Sequence, residues 1–283
     1  KDGNLEHGVY RRLQGCANYL LFRNYPDQNT VRLKAARFCK AHLLCPFCAI
    51  RRGAKALQAY SKRYEVIQSD IGSEGRLTPF MVTLTVKDGP DLLERFSKLH
   101  QSFQALNKKR HGKGSGHSTW ANAKGGVASY EVKRGVGSGL WHPHLHAIVL
   151  CHPGRPVDAH LLSAEWLKIT GDSFIVDIRP IKEKEGEGVI GGFMEVFKYA
   201  VKFSSMENID VIECWRLLQG KNLLTSFGLF RGVEVPEDLS DEQLSDDERY
   251  MDMLYRYHFS DANYQPCPSR NETLDDLKLS RKV

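Results

Sequence analysis

The most constraining feature of this sequence is a ten-residue segment in which three histidines lead into an apolar run. The segment covers residues 141–150 and reads Trp-His-Pro-His-Leu-His-Ala-Ile-Val-Leu. Its apolar, β-branched end predicts a strand. Alternate side chains of a strand share a face, so His144 and His146 point the same way, with Cα atoms about 6.5–7 Å apart. Both imidazoles could then reach one divalent metal ion; a solvated strand face or scattered core histidines are the alternatives.

A second predicted strand supplies an acidic residue next to this pair. Residues 127–133 have strand character, and a glycine-rich turn joins them to the histidine strand as a hairpin. The hairpin places Glu131 across from the two histidines, although a surface carboxylate is the alternative for Glu131 alone. One carboxylate and two imidazoles leave coordination positions open, which suits Mg²⁺ or Mn²⁺ near a phosphate. His142 has the same parity as the pair, but Pro143 is expected to bend the chain there.

Four of the seven cysteines lie within the first 48 residues. Cys39, Cys45 and Cys48 form a Cys-x5-Cys-x2-Cys pattern, in which two thiolates two residues apart can bind one tetrahedral zinc ion. No secretory signal precedes them, so a metal site is favoured over disulfides, with buried thiols as the alternative. Cys16 and His42 are the candidates for the fourth ligand. Cys16 is preferred because zinc sites usually join distant chain segments, and a four-thiolate site would stabilise the fold rather than catalyse.

Positive charge is concentrated in the first half of the chain. Residues 1–150 contain 24 Lys and Arg against 10 Asp and Glu, whereas residues 151–283 contain 16 against 24. A basic half favours a polyanionic partner, most often nucleic acid, over a basic domain with no such partner. No apolar segment approaches the ~20 residues that would span a bilayer, which favours a cytoplasmic protein without a membrane partner.

The segment after the last clustered cysteine predicts a basic amphipathic helix over residues 49–68. Its candidate DNA-phosphate contacts are Arg51, Arg52 and Lys55. A solvated surface helix is the alternative. Near the other end of the chain, residues 234–252 contain nine acidic residues and one basic residue, and we interpret them as the start of an acidic helical tail.

A late segment, residues 192–203, predicts a helix that places a tyrosine between a carboxylate and an amine. Glu195 and Tyr199 are four residues apart, and Tyr199 and Lys202 are three apart, so all three share one helical face. Such a face suits phosphoryl transfer, in which the phenol attacks phosphorus, the ammonium neutralises charge and the carboxylate moves a proton. Core packing of the tyrosine is the alternative when the pattern is taken alone.

Together these motifs resemble the rolling-circle plasmid replication initiators of the HUH endonuclease superfamily. The resemblance is to the single-tyrosine subgroup with an N-terminal cysteine cluster, and it covers about residues 16–232. Its carriers, in order along the chain, are residues 39–48, 80–85, 130–132, 141–146 and 195–202. It implies an α+β fold with a central antiparallel sheet of about five strands flanked by helices.

The resemblance also implies a role for each motif. Glu131, His144 and His146 would bind the catalytic Mg²⁺ or Mn²⁺, and Cys16 would be the first of four ligands to a structural Zn²⁺. Three domains follow: a zinc-binding, basic helical DNA-binding module over residues 1–75, an HUH endonuclease domain over 76–232, and the acidic helical tail over 233–283.

For the late helix, the resemblance implies that Tyr199 is the nicking nucleophile. Glu195 would assist termination in place of a second tyrosine, and Lys202 would be the lysine of the Tyr-x-x-Lys motif.

The implied function is metal-dependent nicking of single-stranded or hairpin DNA at a plasmid origin. The products would be a 5′-phosphotyrosine link and a free 3′-hydroxyl for rolling-circle replication. A host helicase, a polymerase and a second copy of the chain are further candidate partners. The alternatives are an HUH transposase or relaxase, and a non-catalytic zinc-dependent DNA-binding regulator.

Overall fold

The computed structural model describes residues 2–72, 75–111, 118–182, 189–197, 206–245 and 247–267, with only the backbone described for residues 2–6 and 190. The chain divides into two compact units, residues 1–41 with 238–283 and residues 42–237. The three-domain division predicted from the sequence stays a prediction about functional modules.

Helices and strands are interspersed along the described part of the chain. In order they are α1 (Asp2–Gln14), β1 (Tyr19–Tyr25), β2 (Thr30–Ala36), α2 (Pro46–Ile71), β3 (Thr78–Thr85), α3 (Leu92–Lys109), β4 (Gly125–Arg134), β5 (Trp141–Cys151), α4 (Ala159–Thr170), β6 (Val176–Pro180), α5 (Ile190–Val196), α6 (Asn208–Leu218), β7 (Leu224–Gly228), β8 (Met251–His258) and β9 (Asn263–Pro266). Short 3₁₀ turns occupy Pro26–Gln28 and Thr119–Asn122. No helix among the described residues is long and apolar enough to cross a membrane.

A five-stranded antiparallel sheet forms the centre of the larger unit, in the order β6-β3-β5-β4-β7. This confirms the predicted α+β fold with a central sheet of about five strands flanked by helices. The histidine strand β5 is in the middle, so β3 and β4 pair with it on its two sides. That position explains why its C-terminal half is fully buried.

Helices cover both faces of this sheet. On one face α3, α4 and α6 pack around a core that contains Phe103, Trp166 and Leu145. On the other face α2 and α5 pack around a second core that contains Tyr60, Phe193 and Ile148. Because side chains alternate along a strand, the parity that directs Ile148 to the second core also directs His144 and His146 to that face.

Helix α2 begins within the cysteine motif, directly after Cys45 and three residues earlier than the sequence predicts. Pro46 occupies its first turn, where the missing backbone N–H needs no partner. At the far end the side chain of Gln68 donates to the Leu77 carbonyl at 2.6 Å and accepts from the Leu77 N–H at 3.1 Å. These two bonds hold the connection between α2 and β3.

The smaller unit contains a four-stranded antiparallel sheet in the order β2-β1-β8-β9. Strand β1 therefore pairs with a strand more than 220 residues later in the chain. Arg23 on β1 is buried, donates to Asp252 of β8 at 3.1 Å and stacks over the ring of Tyr250. The acidic segment adds a further link, since the backbone N–H of Leu33 donates to Asp241 at 2.7 Å.

The predicted helical tail is wrong for the described residues of this segment. Residues 234–245 and 247–250 contain no helix, and the two elements that follow, β8 and β9, are strands. The physical reason is long-range: β1 offers a free edge to β8, and the alternation of apolar residues from Met251 to Tyr257 matches it. Strands β1 and β2 were themselves absent from the prediction, so their edge could not be anticipated.

Two smaller differences concern the larger unit. Helix α5 ends at Val196, and the remainder of the helix predicted over residues 192–203 lies outside the described residues after Phe197. The other difference is strand β7, which the sequence does not predict and which pairs with the start of β4.

Candidate metal centre

The hairpin of β4 and β5 brings the predicted acidic residue and histidines together. Glu131 and His144 are direct cross-strand partners, and Ser129 is the partner of His146. On the other side of β5, Thr83 of β3 is the partner of His146. Cross-strand partners share a face, so this cluster lies on the face that α2 and α5 cover.

Both histidines present the same ring nitrogen to one carboxylate oxygen. Glu131 Oε2 lies 3.5 Å from His144 Nε2 and 3.6 Å from His146 Nε2. The two imidazole rings are perpendicular, with centroids 4.8 Å apart. The three candidate ligand atoms lie within 4.8 Å of one another. Both oxygen–nitrogen distances are below the ~4.4 Å that separates opposite ligands of an ion bound at about 2.2 Å from each.

The opposite ring nitrogens have their own partners. His146 Nδ1 lies 3.0 Å from the Thr83 hydroxyl, and His144 Nδ1 lies 3.4 Å from the backbone carbonyl of His142. A carbonyl can only accept, so a hydrogen bond there requires the His144 proton on Nδ1 and leaves the Nε2 lone pair for a metal. This arrangement, in which a second group orients each imidazole, is typical of metal-binding histidines.

Burial of the cluster is uneven. Glu131 and His144 are 3% and 4% exposed, whereas the His146 side chain retains 14%. A buried carboxylate is costly unless positive charge or hydrogen bonds compensate it, and a divalent ion would do so. The two nitrogens and one oxygen therefore fit a divalent cation that can be approached from the His146 side.

A carboxylate that the sequence did not point to anchors the entrance of the histidine strand. Asp88, which follows β3, lies 2.5 Å from His142 Nδ1, and it accepts from the Ser138 hydroxyl at 2.5 Å. Burial alone would raise the pKa of Asp88, but these two hydrogen bonds and the nearby charges of His142 and Lys133 lower it. A Cβ at Gly135 would lie 2.3 Å from the Asp88 carboxylate, so a larger residue there would have to displace that side chain.

The strand continues through Pro143, where the sequence leads us to expect a bend at the strand entrance. β5 begins at Trp141, and His142 pairs with Lys133 and stays beside His144, with ring centroids 5.4 Å apart. Pairing with β3 reaches only as far as His144, so Pro143 has no ladder partner on that side that would require its N–H.

The four predicted zinc ligands form a second cluster. The Cys39 N–H donates to Cys16 Sγ at 3.4 Å, while Cys45 directly precedes α2 and Cys48 lies in its first turn. The four sulfurs lie within 4.8 Å of one another. Tetrahedral zinc with bonds of ~2.3 Å needs sulfurs about 3.8 Å apart, so the set fits a Zn²⁺ ion. The cluster contains Cys16 and not His42.

The remaining predicted residues are placed as follows. Glu195 lies half-buried in α5, whereas Tyr199 and Lys202 lie outside the described residues. Phe197, the last described residue of this segment, stacks on Tyr60 of α2 with ring centroids 5.2 Å apart. The described chain therefore ends, two residues before Tyr199 in sequence, on the sheet face that carries the histidines.

The predicted DNA contacts on α2 differ in exposure. Arg52 is exposed and Arg51 is half-buried, but Lys55 is only 6% exposed. The Lys55 side chain therefore offers little surface to a partner in this arrangement.

Three comparisons bear on the identity of the chain. A protein named "Protein rep" from Streptococcus pneumoniae serotype 2 (strain D39 / NCTC 7466) is 29% identical over 260 residues, which cover 87% of this chain and 77% of that protein. Proteins of the same name from Bacillus sp and Bacillus amyloliquefaciens are 26% and 25% identical; the matches cover 80% of this chain in both cases, and 69% and 63% of the relatives. No solved structure matches the chain.

The family comparison covers most of the chain. The Rep_1 family, described as "Replication protein", matches residues 30–264, which include both metal-ligand hairpin strands and three of the four clustered cysteines. The motif-based resemblance to rolling-circle plasmid replication initiators is confirmed at the level of the family. The chain belongs to the Rep_1 family of replication proteins.

Proposed function

We propose that this replication protein nicks single-stranded DNA at a plasmid origin by metal-dependent transesterification, with Tyr199 as the nucleophile. The observation that carries the proposal is the convergence of Glu131, His144 and His146 on one point of the sheet face. Helix α5 packs on that same face and leads in sequence to Tyr199.

The residues of the hairpin have a positioning role in this proposal. Glu131, His144 and His146 would hold a Mg²⁺ or Mn²⁺ ion, which when bound polarises the scissile phosphate as a Lewis acid. Thr83 and the His142 carbonyl orient the two imidazoles. Because these groups lie on paired strands rather than on a loop, little reorganisation is needed when DNA binds.

The covalent step exchanges one phosphate ester for another. A bond forms between the phenolic oxygen of Tyr199 and phosphorus, and the bond from phosphorus to the 3′ oxygen breaks. The phenol gives its proton to a base or solvent, and the leaving 3′ oxygen takes up a proton to become a free hydroxyl. Tyrosine has a pKa of about 10, so Lys202 is assigned to stabilise the phenolate and the charge that develops on the phosphate.

Termination requires that water or a returning 3′-hydroxyl attack the phosphotyrosine, so that the bond from phosphorus to the Tyr199 oxygen breaks and the phenol takes up a proton. Glu195 lies four residues before Tyr199 in sequence, and we assign its carboxylate to take the proton from water or from a returning 3′-hydroxyl. The structural zinc would be held by Cys16, Cys39, Cys45 and Cys48.

The DNA contacts and partners form a further part of the proposal. Arg51, Arg52 and Lys55 are the proposed phosphate contacts of α2, and their exposure leads us to expect the largest contribution from Arg52 and the smallest from Lys55. Origin DNA, a host helicase and a polymerase would meet the protein in the cytoplasm.

The direct test is a covalent-adduct assay with the Tyr199→Phe variant. Wild-type protein, incubated with a single-stranded origin oligonucleotide and Mn²⁺, should form an adduct that survives a denaturing gel. Tyr199→Phe should form none, whereas Tyr10→Phe, which changes an exposed tyrosine of α1, should behave as wild type. Adduct formation by Tyr199→Phe would place the nucleophile elsewhere.

The role of Glu195 requires a separate measurement. Glu195→Ala should form the adduct at the wild-type rate but fail to release it on a substrate that carries a second nick site. Equal loss of nicking and release would remove the assignment of Glu195 to termination alone.

A further inference from the structure

A cleft of about 360 Å³ lies between α2 and the segment that follows β7. Three basic side chains line it: Lys62 and Arg63 from α2, and Arg231 from the opposite wall. Val66 and Val233 supply apolar surface beside them. None of these residues belongs to the metal centres or to the DNA contacts proposed above.

The two walls of the cleft are fixed to each other. Phe230 is fully buried and packs edge-on against Tyr60 of α2, with ring centroids 5.8 Å apart. The Arg63 Nε–H donates to the Leu229 carbonyl at 3.1 Å, and the Arg231 N–H donates to the Gly228 carbonyl at 2.9 Å. The positive charges are therefore held near one another by the fold.

These charges lack the acidic partners that other basic residues have. Arg23, Lys98 and Arg134 each form an ion pair with an aspartate. Within the described part of the chain, the side chains of Lys62 and Arg231 enter no ion pair and no hydrogen bond, and both are exposed. The one hydrogen bond that the Arg63 side chain makes among the described residues uses Nε, which leaves its two terminal amino groups for an anion.

The cleft also continues a basic stripe along α2. Arg52, Ala59, Arg63 and Val66 follow one another at spacings of seven, four and three residues, so they lie on one side of the helix. Eleven residues separate the two arginines, which is about 16 Å along the axis. A stripe of this length can meet several successive phosphates rather than a single anion.

We propose that this cleft binds the phosphodiester backbone of DNA, with Lys62 and Arg231 as point charges and Arg63 as a forked donor to one phosphate. Val66, which is 41% exposed, and Val233 would contact the sugar. The inference rests on the proposed function in that DNA is taken as the polyanion. It adds a binding surface away from the metal-ligand strands.

The test measures how the DNA affinity of a Lys62→Gln/Arg231→Gln double variant depends on salt. Fluorescence anisotropy is recorded with random-sequence DNA and without divalent ions, in one arm with a duplex and in the other with a single strand. Loss of two phosphate contacts should lower the slope of log K against log salt by about 1.8 for a duplex or about 1.4 for a single strand. Affinity at 0.1 M salt should fall on the order of 50-fold for the duplex.

The matched control removes the same charge from the opposite face of the sheet. Lys108→Gln/Lys168→Gln changes two exposed lysines on α3 and α4, and its slope should stay close to wild type. The charge-conserving variant Lys62→Arg/Arg231→Lys should also keep the wild-type slope. An equal loss in the control pair, no loss in the cleft pair, or a loss in the charge-conserving pair would each overturn the proposal.

The two arms identify the form of DNA. A change confined to the duplex arm assigns the cleft to duplex DNA beside the nick, and a change confined to the single-strand arm assigns it to the unpaired strand. Because the assay contains no divalent ion, it is independent of nicking. If wild-type protein formed no covalent adduct, but the Lys62→Gln/Arg231→Gln variant showed the expected change in salt slope, the nicking proposal would be wrong. The proposal that the cleft binds DNA would still stand.

Discussion

The two candidate metal clusters of this protein differ in nearly every chemical respect. The cysteine cluster offers four sulfurs, three of them from buried residues, and so can enclose a tetrahedral ion completely. The cluster of Glu131, His144 and His146 offers two nitrogens and one oxygen and remains partly exposed at His146. A closed set of ligands stabilises a fold, whereas an open set leaves positions for a substrate. The cysteine cluster is therefore expected to stabilise the fold, and the cluster of Glu131, His144 and His146 is expected to take part in catalysis.

The largest expected effect comes from removing one ligand of the cysteine cluster. Cys48→Ser should lose the zinc ion and several kcal/mol of stability, because metal binding to such a set contributes directly to folding. Zinc content by native mass spectrometry and thermal unfolding measure both effects. Cys267→Ser, a cysteine outside the cluster, should change neither. An unchanged melting temperature in Cys48→Ser would mean that this cluster holds no structural ion.

The next largest effect should be on the rate of adduct formation, with little change in stability. His146→Ala removes one of three ligands and should lower adduct formation by about 1,000-fold, which corresponds to ~4 kcal/mol. The melting temperature should change little because the His146 side chain is partly exposed. Calorimetric titration with Mn²⁺ reports the lost ion binding, with His160→Ala, an exposed histidine of α4, as the control. Full nicking by His146→Ala would refute the catalytic assignment of the open cluster.

A smaller effect should follow from removing one orienting group. Thr83→Val keeps the side-chain shape but loses the hydroxyl 3.0 Å from His146 Nδ1. We expect Mn²⁺ affinity to fall 10- to 100-fold, or about 1.4–2.7 kcal/mol. Thr85→Val is the matched control, because the Thr85 hydroxyl donates instead to the Ile175 carbonyl. Equal affinities in the two variants would show that the hydroxyl does not orient the ligand.

The smallest effect concerns Asp88, which contacts the turn that leads into β5, and the dependence of its stabilising contribution on pH. The pKa of Asp88 is lowered in the folded protein, so its contribution to stability is present above the unfolded pKa of about 3.9 and is lost as pH falls through the lower folded value. The melting temperature of Asp88→Asn should therefore lie below that of wild type at pH 7. The gap should narrow as the pH is lowered below about 4. A gap that stayed constant with pH would assign the effect to packing.

Local spacing was enough to predict the chemical groups of both clusters apart from Cys16, which comes from a distant segment of the chain. Alternation along β5 places His144 and His146 on one face wherever the strand lies, and the turn at Cys45 and Cys48 brings two sulfurs together within one helical turn. A hairpin joined by a short glycine-rich loop is also a local arrangement, which is why Glu131 could be matched to the histidines. These predictions depend on residues that are close in sequence.

The groups that were missed come from distant segments. Thr83 reaches His146 only because β3 pairs with β5 in one particular register, and Asp88 reaches His142 from the loop after β3. The tail was misread for the same reason: β8 is a strand because β1 accepts it more than 220 residues away. Sequence periodicity therefore decided which side chains share a face, since that depends on backbone geometry alone. Only the folded sheet decided which strands are neighbours, since burial and hydrogen bonding are settled among all segments together.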